Sequence, residues 1–115
     1  MALYLLQVSY TPEAWASMVK KPQDRLVAVR PAIEKLGGKL LSGYLAFGEY
    51  DLIAITEMPN NVSAAAFSLA AAAGGAISKL VTTPLMSTKD GVEAMKKAAT
   101  SIYKPPTAGA AAKRK

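Results

Sequence analysis

The sequence contains no cysteine and no histidine, and this double absence removes more chemistry than any of its motifs supplies. Without cysteine there is no disulfide, no thiolate nucleophile and no thiolate-bound zinc or iron–sulfur cluster. Without histidine the usual neutral-pH base and the commonest metal ligand are missing, so Ser-His-Asp catalysis and His-ligated haem cannot be assembled within one protomer. No cofactor is expected. Charge is also sparse, at 19% of residues against 51% hydrophobic, a globular balance and not a disordered one.

Long apolar runs are lacking as well. The Ala-rich segment at 64 to 76 comes nearest to the roughly 20 residues of a membrane span, but Ser68, Gly74 and Gly75 interrupt it. The opening residues, MALYLLQVSYTPE, have no basic n-region and too short an apolar core for a secretory signal. A cytoplasmic protein without a membrane span is the expectation. Nor is there a phosphate cradle. Gly37-Gly38 and Gly74-Gly75 follow predicted helices and precede strands, the reverse of the order a phosphate-binding loop needs.

What is present fits one domain, expected over residues 1–103, because 115 residues can bury one core but not two. The net charge is +6, yet Lys104, Lys113, Arg114 and Lys115 carry four of those six charges within the last twelve residues. The Pro105-Pro106 pair and the Ala/Gly/Lys remainder predict a disordered basic tail over 104–115. A basicity that comes from a tail and not from a folded face argues against nucleic acid as a partner.

Residues 2–10 alternate Tyr4, Leu6, Val8 and Tyr10 with Leu3, Leu5, Gln7 and Ser9, which predicts a strand with apolar groups on both faces. Thr11-Pro12-Glu13 reads as a helix start, with Thr11 as N-cap and Pro12 at the first helical position. The helix should run to about Lys20 and restart near Pro22. Leu26, Val29, Ile33 and Leu36 then recur at helical spacing, and Gly37-Gly38 ends that helix. Pro31 predicts a kink or a later start. Lys39–Phe47 and Tyr50–Met58 read as a hairpin turning around Gly48. Asn60-Asn61 caps a further helix to about Ala73, with Val62, Ala66, Leu69, Ala70 and Ala73 as its packing face and Phe67 nearby. Ala76–Met86 is a fourth strand, which Pro84 assigns to an edge or a bulge. Thr88-Lys89-Asp90 opens a last amphipathic helix.

The fold class is therefore α+β: a ferredoxin-like βαββαβ arrangement, with a four-stranded antiparallel sheet, two helices on one face and an extra C-terminal helix. Leu3, Leu5, Ile53 and Ile55 would leave the second sheet face apolar, which marks an interface. A second copy of the chain is the expected cover, by the prevalence of symmetric oligomers. The C-terminal helix is the alternative cover.

The stretch Gly48-Glu49-Tyr50-Asp51, followed by an aliphatic strand that closes in Glu57-Met58-Pro59-Asn60, resembles the GYD domain family. The Pro22 to Arg25 segment and Gly37-Gly38-Lys39-Leu40 agree with it. The resemblance covers about residues 1–90 and implies a small bacterial protein of ferredoxin-like fold, related to the dimeric α/β-barrel group. It implies little about activity, and the tail lies outside its pattern.

The candidate ligand-binding residues are Tyr50, Asp51, Glu49, Arg25, Tyr44 and Tyr4. Strand pleat would set Glu49 and Asp51 on one face, close enough to share a cation. The structural alternative is that Asp51 accepts backbone hydrogen bonds at the turn while Glu49 is solvated. Tyr50 would point into the core or a cavity, with Arg25 or Arg30 beside its hydroxyl, and Tyr4, Tyr10 and Tyr44 could join it. Trp15 is either a lid on that pocket or a packing residue against a neighbouring subunit. Three functions follow: a homo-oligomeric module that binds a small molecule between sheet and helices; a cofactor-free enzyme acting on an aromatic or quinone-like compound through Tyr50, Asp51 or Glu49; or a scaffold whose basic tail recruits a partner.

Overall fold

A computed structural model describes residues 1–106; the expected tail charges at Lys113, Arg114 and Lys115 lie outside the described residues. The elements run β1 (Ala2–Tyr10), α1 (Pro12–Lys20), α2 (Arg25–Lys35), β2 (Lys39–Leu45), β3 (Leu52–Met58), α3 (Asn61–Ala73), β4 (Ile77–Leu85) and α4 (Thr88–Ala99). The chain divides into two compact units, Met1–Leu85 and a second that begins at Met86. The second unit carries α4, whose Ser87 cap accepts a hydrogen bond from the Asp90 amide at 3.0 Å. Among the described residues no helix is long and apolar enough to cross a membrane.

The first unit is the ferredoxin-like layer. Its strands are ordered β2-β3-β1-β4, and every neighbouring pair is antiparallel. The sheet is open, with β2 and β4 as its edges, and not a closed barrel. Pro84 stands opposite Tyr4 on edge strand β4, where a missing N–H donor is tolerated.

Local chemistry sets the helix starts. The Thr11 side chain accepts from the Ala14 amide at 3.1 Å, and Asn60 caps α3 by accepting from Ser63 at 2.9 Å, as the sequence predicts. Three local expectations need correction. Helix α2 begins at Arg25 and not at Pro22, because the Asp24 carboxylate accepts from the Leu26 amide at 2.9 Å and fixes the first turn there. Pro31 lies inside α2, so of the kink or later start expected there the later start does not occur. Strands β2 and β3 end and begin at Leu45 and Leu52, so the connection spans residues 46–51 and is longer than a turn at Gly48 alone.

Alternation sorts the sheet. Tyr4, Leu6, Val8 and Tyr10 of β1, with Leu52, Ala54, Thr56 and Met58 of β3, are buried on the helix side. Leu26, Val29 and Ile33 of α2 and its C-cap Leu36 pack there, as their spacing predicts. For α3 the packing face is rotated from expectation. Ala64 is buried and Phe67 joins the core, while Val62 and Leu69 are 79% and 71% exposed. In a run of alanines the helical period has almost no hydrophobic contrast to read, and the sheet selects the face instead.

On the other side of the sheet Leu5 pairs with Ile55 and Gln7 with Ile53, while Leu85, Thr83 and Val81 of β4 stand opposite Leu3, Leu5 and Gln7. These positions form a mostly apolar layer that is half-buried, with Leu85 at its exposed margin.

Gly38 marks the tightest approach of the α2–β2 turn to the sheet. A Cβ there would collide with Met58 Sδ and would sit 2.7 Å from the Glu57 carbonyl oxygen. Gly48, by contrast, has nothing within 4 Å. Gly38→Ala is expected to lower unfolding free energy by about 1–3 kcal/mol, the usual cost of overpacking, whereas Gly48→Ala stays near wild type. Chemical denaturation of the two variants side by side checks this.

Candidate functional site

The 46–51 connection is closed by the Ala46 amide donating to the Asp51 carbonyl at 2.7 Å, and the Asp51 amide donates to the Val8 carbonyl at 2.8 Å. This backbone arrangement aims the Asp51 side chain at the end of β1. Its Oδ2 accepts from the Tyr10 amide at 2.9 Å and from Trp15 Nε1 at 3.2 Å. One carboxylate thus joins three elements: the β2–β3 connection, the last residue of β1 and helix α1. Trp15 also meets Tyr10 edge-on, with ring centroids 5.6 Å apart and planes at 82°, a favourable aromatic geometry. Within the chain Trp15 packs against the cluster of Val8, Tyr10 and Leu52.

Glu49 and Tyr50 turn elsewhere. Lys79 of β4 lies 3.8 Å from Glu49 and 5.2 Å from the centroid of the Tyr50 ring. The Tyr50 hydroxyl first, by hydrogen bond and by charge, and then Glu49 hold the Lys79 ammonium above the ordinary lysine value. Both ionic side chains are largely exposed, so the pair contributes little to stability. Glu49 and Asp51, for which a shared cation is expected, engage different partners in this structure, because the connection interrupts strand alternation. Among the described residues no group of three or more acidic side chains is placed to hold a metal ion.

Tyr50 does not meet Arg25 or Arg30. Arg30 donates to the Leu40 carbonyl at 3.3 Å, and Arg25 donates to Gln23 Oε1 at 2.8 Å. Tyr44 is exposed on edge strand β2. The Tyr4 hydroxyl donates to Asn61 Oδ1, on the wall of a shallow groove of about 650 Å³ between α3 and β4 that also holds Leu69, Lys79 and Thr82. The six candidate residues are therefore spread over helix α2, the 46–51 connection and strands β1 and β2 and not gathered at one place.

A second cavity, of about 580 Å³, lies between α2, α3 and the sheet. Leu6, Val8 and Ala54 floor it; Ala28, Val29 and Ala32 of α2 and Phe67, Ala70 and Ala71 of α3, with its C-cap Gly74, form its walls. The wall residues are mostly small, so they leave the space between the two helices and the sheet unfilled. The size and apolar lining fall within the range of small-molecule sites. Tyr10, Arg25 and Lys35 are its only polar side chains among the described residues. Burial pushes the Tyr10 phenol above the ordinary tyrosine value. The Arg25 guanidinium, by charge and hydrogen bonding, pulls against that rise, and the Asp51 charge adds to it. Of the six candidate ligand-binding residues Arg25 alone lines this cavity, joined by Tyr10, which the sequence offers as a further pocket tyrosine. The small wall residues are the ones sequence reasoning missed, and their only signal is the recurrence of alanine on facing helical stripes.

A family model described as "GYD domain" matches residues 4–99 of the chain. No curated protein and no solved structure matches it.

Removing the Asp51 carboxylate leaves the Tyr10 amide and the Trp15 indole N–H without their acceptor. Asp51→Ala is expected to cost about 2–3 kcal/mol of stability. Asp51→Asn, which keeps one oxygen acceptor, is expected to cost roughly half as much. Denaturation followed by the fluorescence of the single tryptophan, Trp15, reads both. A separate prediction follows from Tyr10. Because its folded phenol holds its proton more tightly than the unfolded one, its contribution is intact below about pH 10. As pH rises beyond that, the unfolded state loses protons first and stability falls. Thermal midpoints from pH 8 to 11 should therefore decline less steeply in Tyr10→Phe than in wild type.

Proposed function

The chain belongs to the GYD domain family, and from that premise we propose that it is a small-molecule-binding module which acts as a homo-oligomer. The observation that carries the binding function is the cavity between α2 and α3. Small side chains along two facing helices leave hydrophobic floor residues within reach of a ligand, a poor arrangement for stability alone, because close packing would gain dispersion and burial. An apolar guest restores those contacts. Turnover through Glu49, Tyr50 or Asp51 has less support, since Asp51 is engaged by Tyr10 and Trp15 and none of the three lines the cavity.

The oligomeric part rests on a different observation, the apolar layer of Leu3, Leu5, Ile53 and Ile55 on the side of the sheet opposite α2 and α3. A second copy laid against it would remove two such faces from water at once, and a self-complementary interface closes as a two-fold dimer.

An uncharged fluorescent probe, N-phenyl-1-naphthylamine, tests the cavity. Saturable binding is expected in the wild-type chain, with affinity at least tenfold weaker in Ala32→Trp, whose indole would occupy the cleft. Absence of saturable binding in the folded wild-type chain overturns the binding reading. Sedimentation tests the interface: wild type is expected to run as a dimer and Leu5→Lys as a monomer. A wild-type monomer at tens of micromolar removes the oligomeric part and leaves the cavity reading standing.

A further inference from the structure

Resting on the reading of this cavity as a binding site, we propose that its ligand class is a monoanionic amphiphile, a medium-length apolar chain ending in a carboxylate that is held by Arg25 and the Tyr10 hydroxyl. The charge pattern gives the sign. Arg25 and Lys35 are the only charged side chains on the cavity wall among the described residues, and both are positive. The neighbouring acids are committed elsewhere, Asp24 to the Leu26 amide and Asp51 to Tyr10 N and Trp15 Nε1. No carboxylate among the described residues lies within ion-pair distance of Arg25. Its hydrogen bonds to Gln23 Oε1 and to the Tyr10 phenol use two of five guanidinium donors, which leaves a half-buried cation with donors to spare at the edge of an apolar chamber.

The polar end has the chemistry of a carboxylate receptor. A planar guanidinium pairs with two carboxylate oxygens at once, and the adjacent phenol adds a neutral donor. Lys35 lacks such a second donor and lies ten residues along α2, about 15 Å away at 1.5 Å of rise per residue. Between the two, the wall facing α3 is Ala28, Val29 and Ala32, with no polar side chain to interrupt an alkyl chain or ring. The cleft therefore offers one anchoring point and a long apolar slot, and affinity should climb with chain length by about fourfold per added methylene until the slot is filled.

The test is calorimetric titration of the full chain with decanoate, 1-decanol and decylammonium, each below its micellar concentration, and with hexanoate and octanoate for the length series. Decanoate is expected to bind at least tenfold tighter than 1-decanol, and decylammonium weakest. Arg25→Met should bring decanoate down to the affinity of the alcohol while leaving the alcohol unchanged. Arg25→Lys should recover part of the difference, and Lys35→Met should preserve it. Thermal midpoints of the variants establish that each is folded. Equal affinity of wild type for decanoate and decanol overturns the anion assignment but leaves the cavity reading intact. Tighter binding of the ammonium, a preference that survives in folded Arg25→Met, or one that disappears in Lys35→Met, also overturns it. If no member of the set binds, the cavity reading and the ligand class fall together.

Discussion

Strand β1 is hydrogen-bonded along both of its edges, to β3 on one side and β4 on the other, and the remaining architecture follows from fixing it at the centre. Once β1 is interior, each alternate side chain along it must find cover on its own face, so Tyr4, Leu6, Val8 and Tyr10 draw α2 and α3 onto one side. A one-residue slip would exchange this set for Leu3, Leu5, Gln7 and Ser9. Register is pinned at the far end of the strand by Asp51, which accepts the Tyr10 amide at the point where the β1–β4 ladder shifts past Ser9.

The motif that identifies the family thus has a structural account in this chain. Glycine, tyrosine and aspartate sit in a connection whose backbone returns to β1, and the aspartate gathers the ends of β1 and α1 around the Tyr10–Trp15 pair. The tyrosine lies beside Lys79 of β4 and extends the same fastening across the sheet. Tyr10 belongs to both regions: its backbone is held by Asp51 and its ring lines the cavity. The fastening and the cavity therefore share Tyr10 as a common wall.

Much of the fold was legible before any coordinates. The period-two alternation of residues 2–10, the Thr11 and Asn60 caps, the α2 stripe from Leu26 to Leu36 and the edge assignment from Pro84 all rest on local rules that the tertiary structure leaves intact. The failures occur where local signals are silent. The alanines of α3 look alike from every side, so its inward face is chosen by the sheet. The 46–51 connection breaks strand alternation, and extrapolating the pleat through it put Glu49 and Asp51 together when they diverge. Arg25 does partner a tyrosine, but Tyr10 and not Tyr50, and Tyr10 lies fifteen residues before it in sequence and reaches it only across the sheet–helix layer.

By itself the sequence determined the element order, the helix caps, the two-sided apolarity of the sheet and the exclusion of cysteine and histidine chemistry, because each depends on residue type and near-neighbour spacing alone. Only the tertiary structure decided which alanines face inward, where the Asp51 carboxylate is used and that Arg25, Tyr10 and two stripes of small residues bound a common cavity. The physical reason is that a cavity is defined by the space left between elements, and no residue encodes in its immediate neighbours how closely a distant helix approaches.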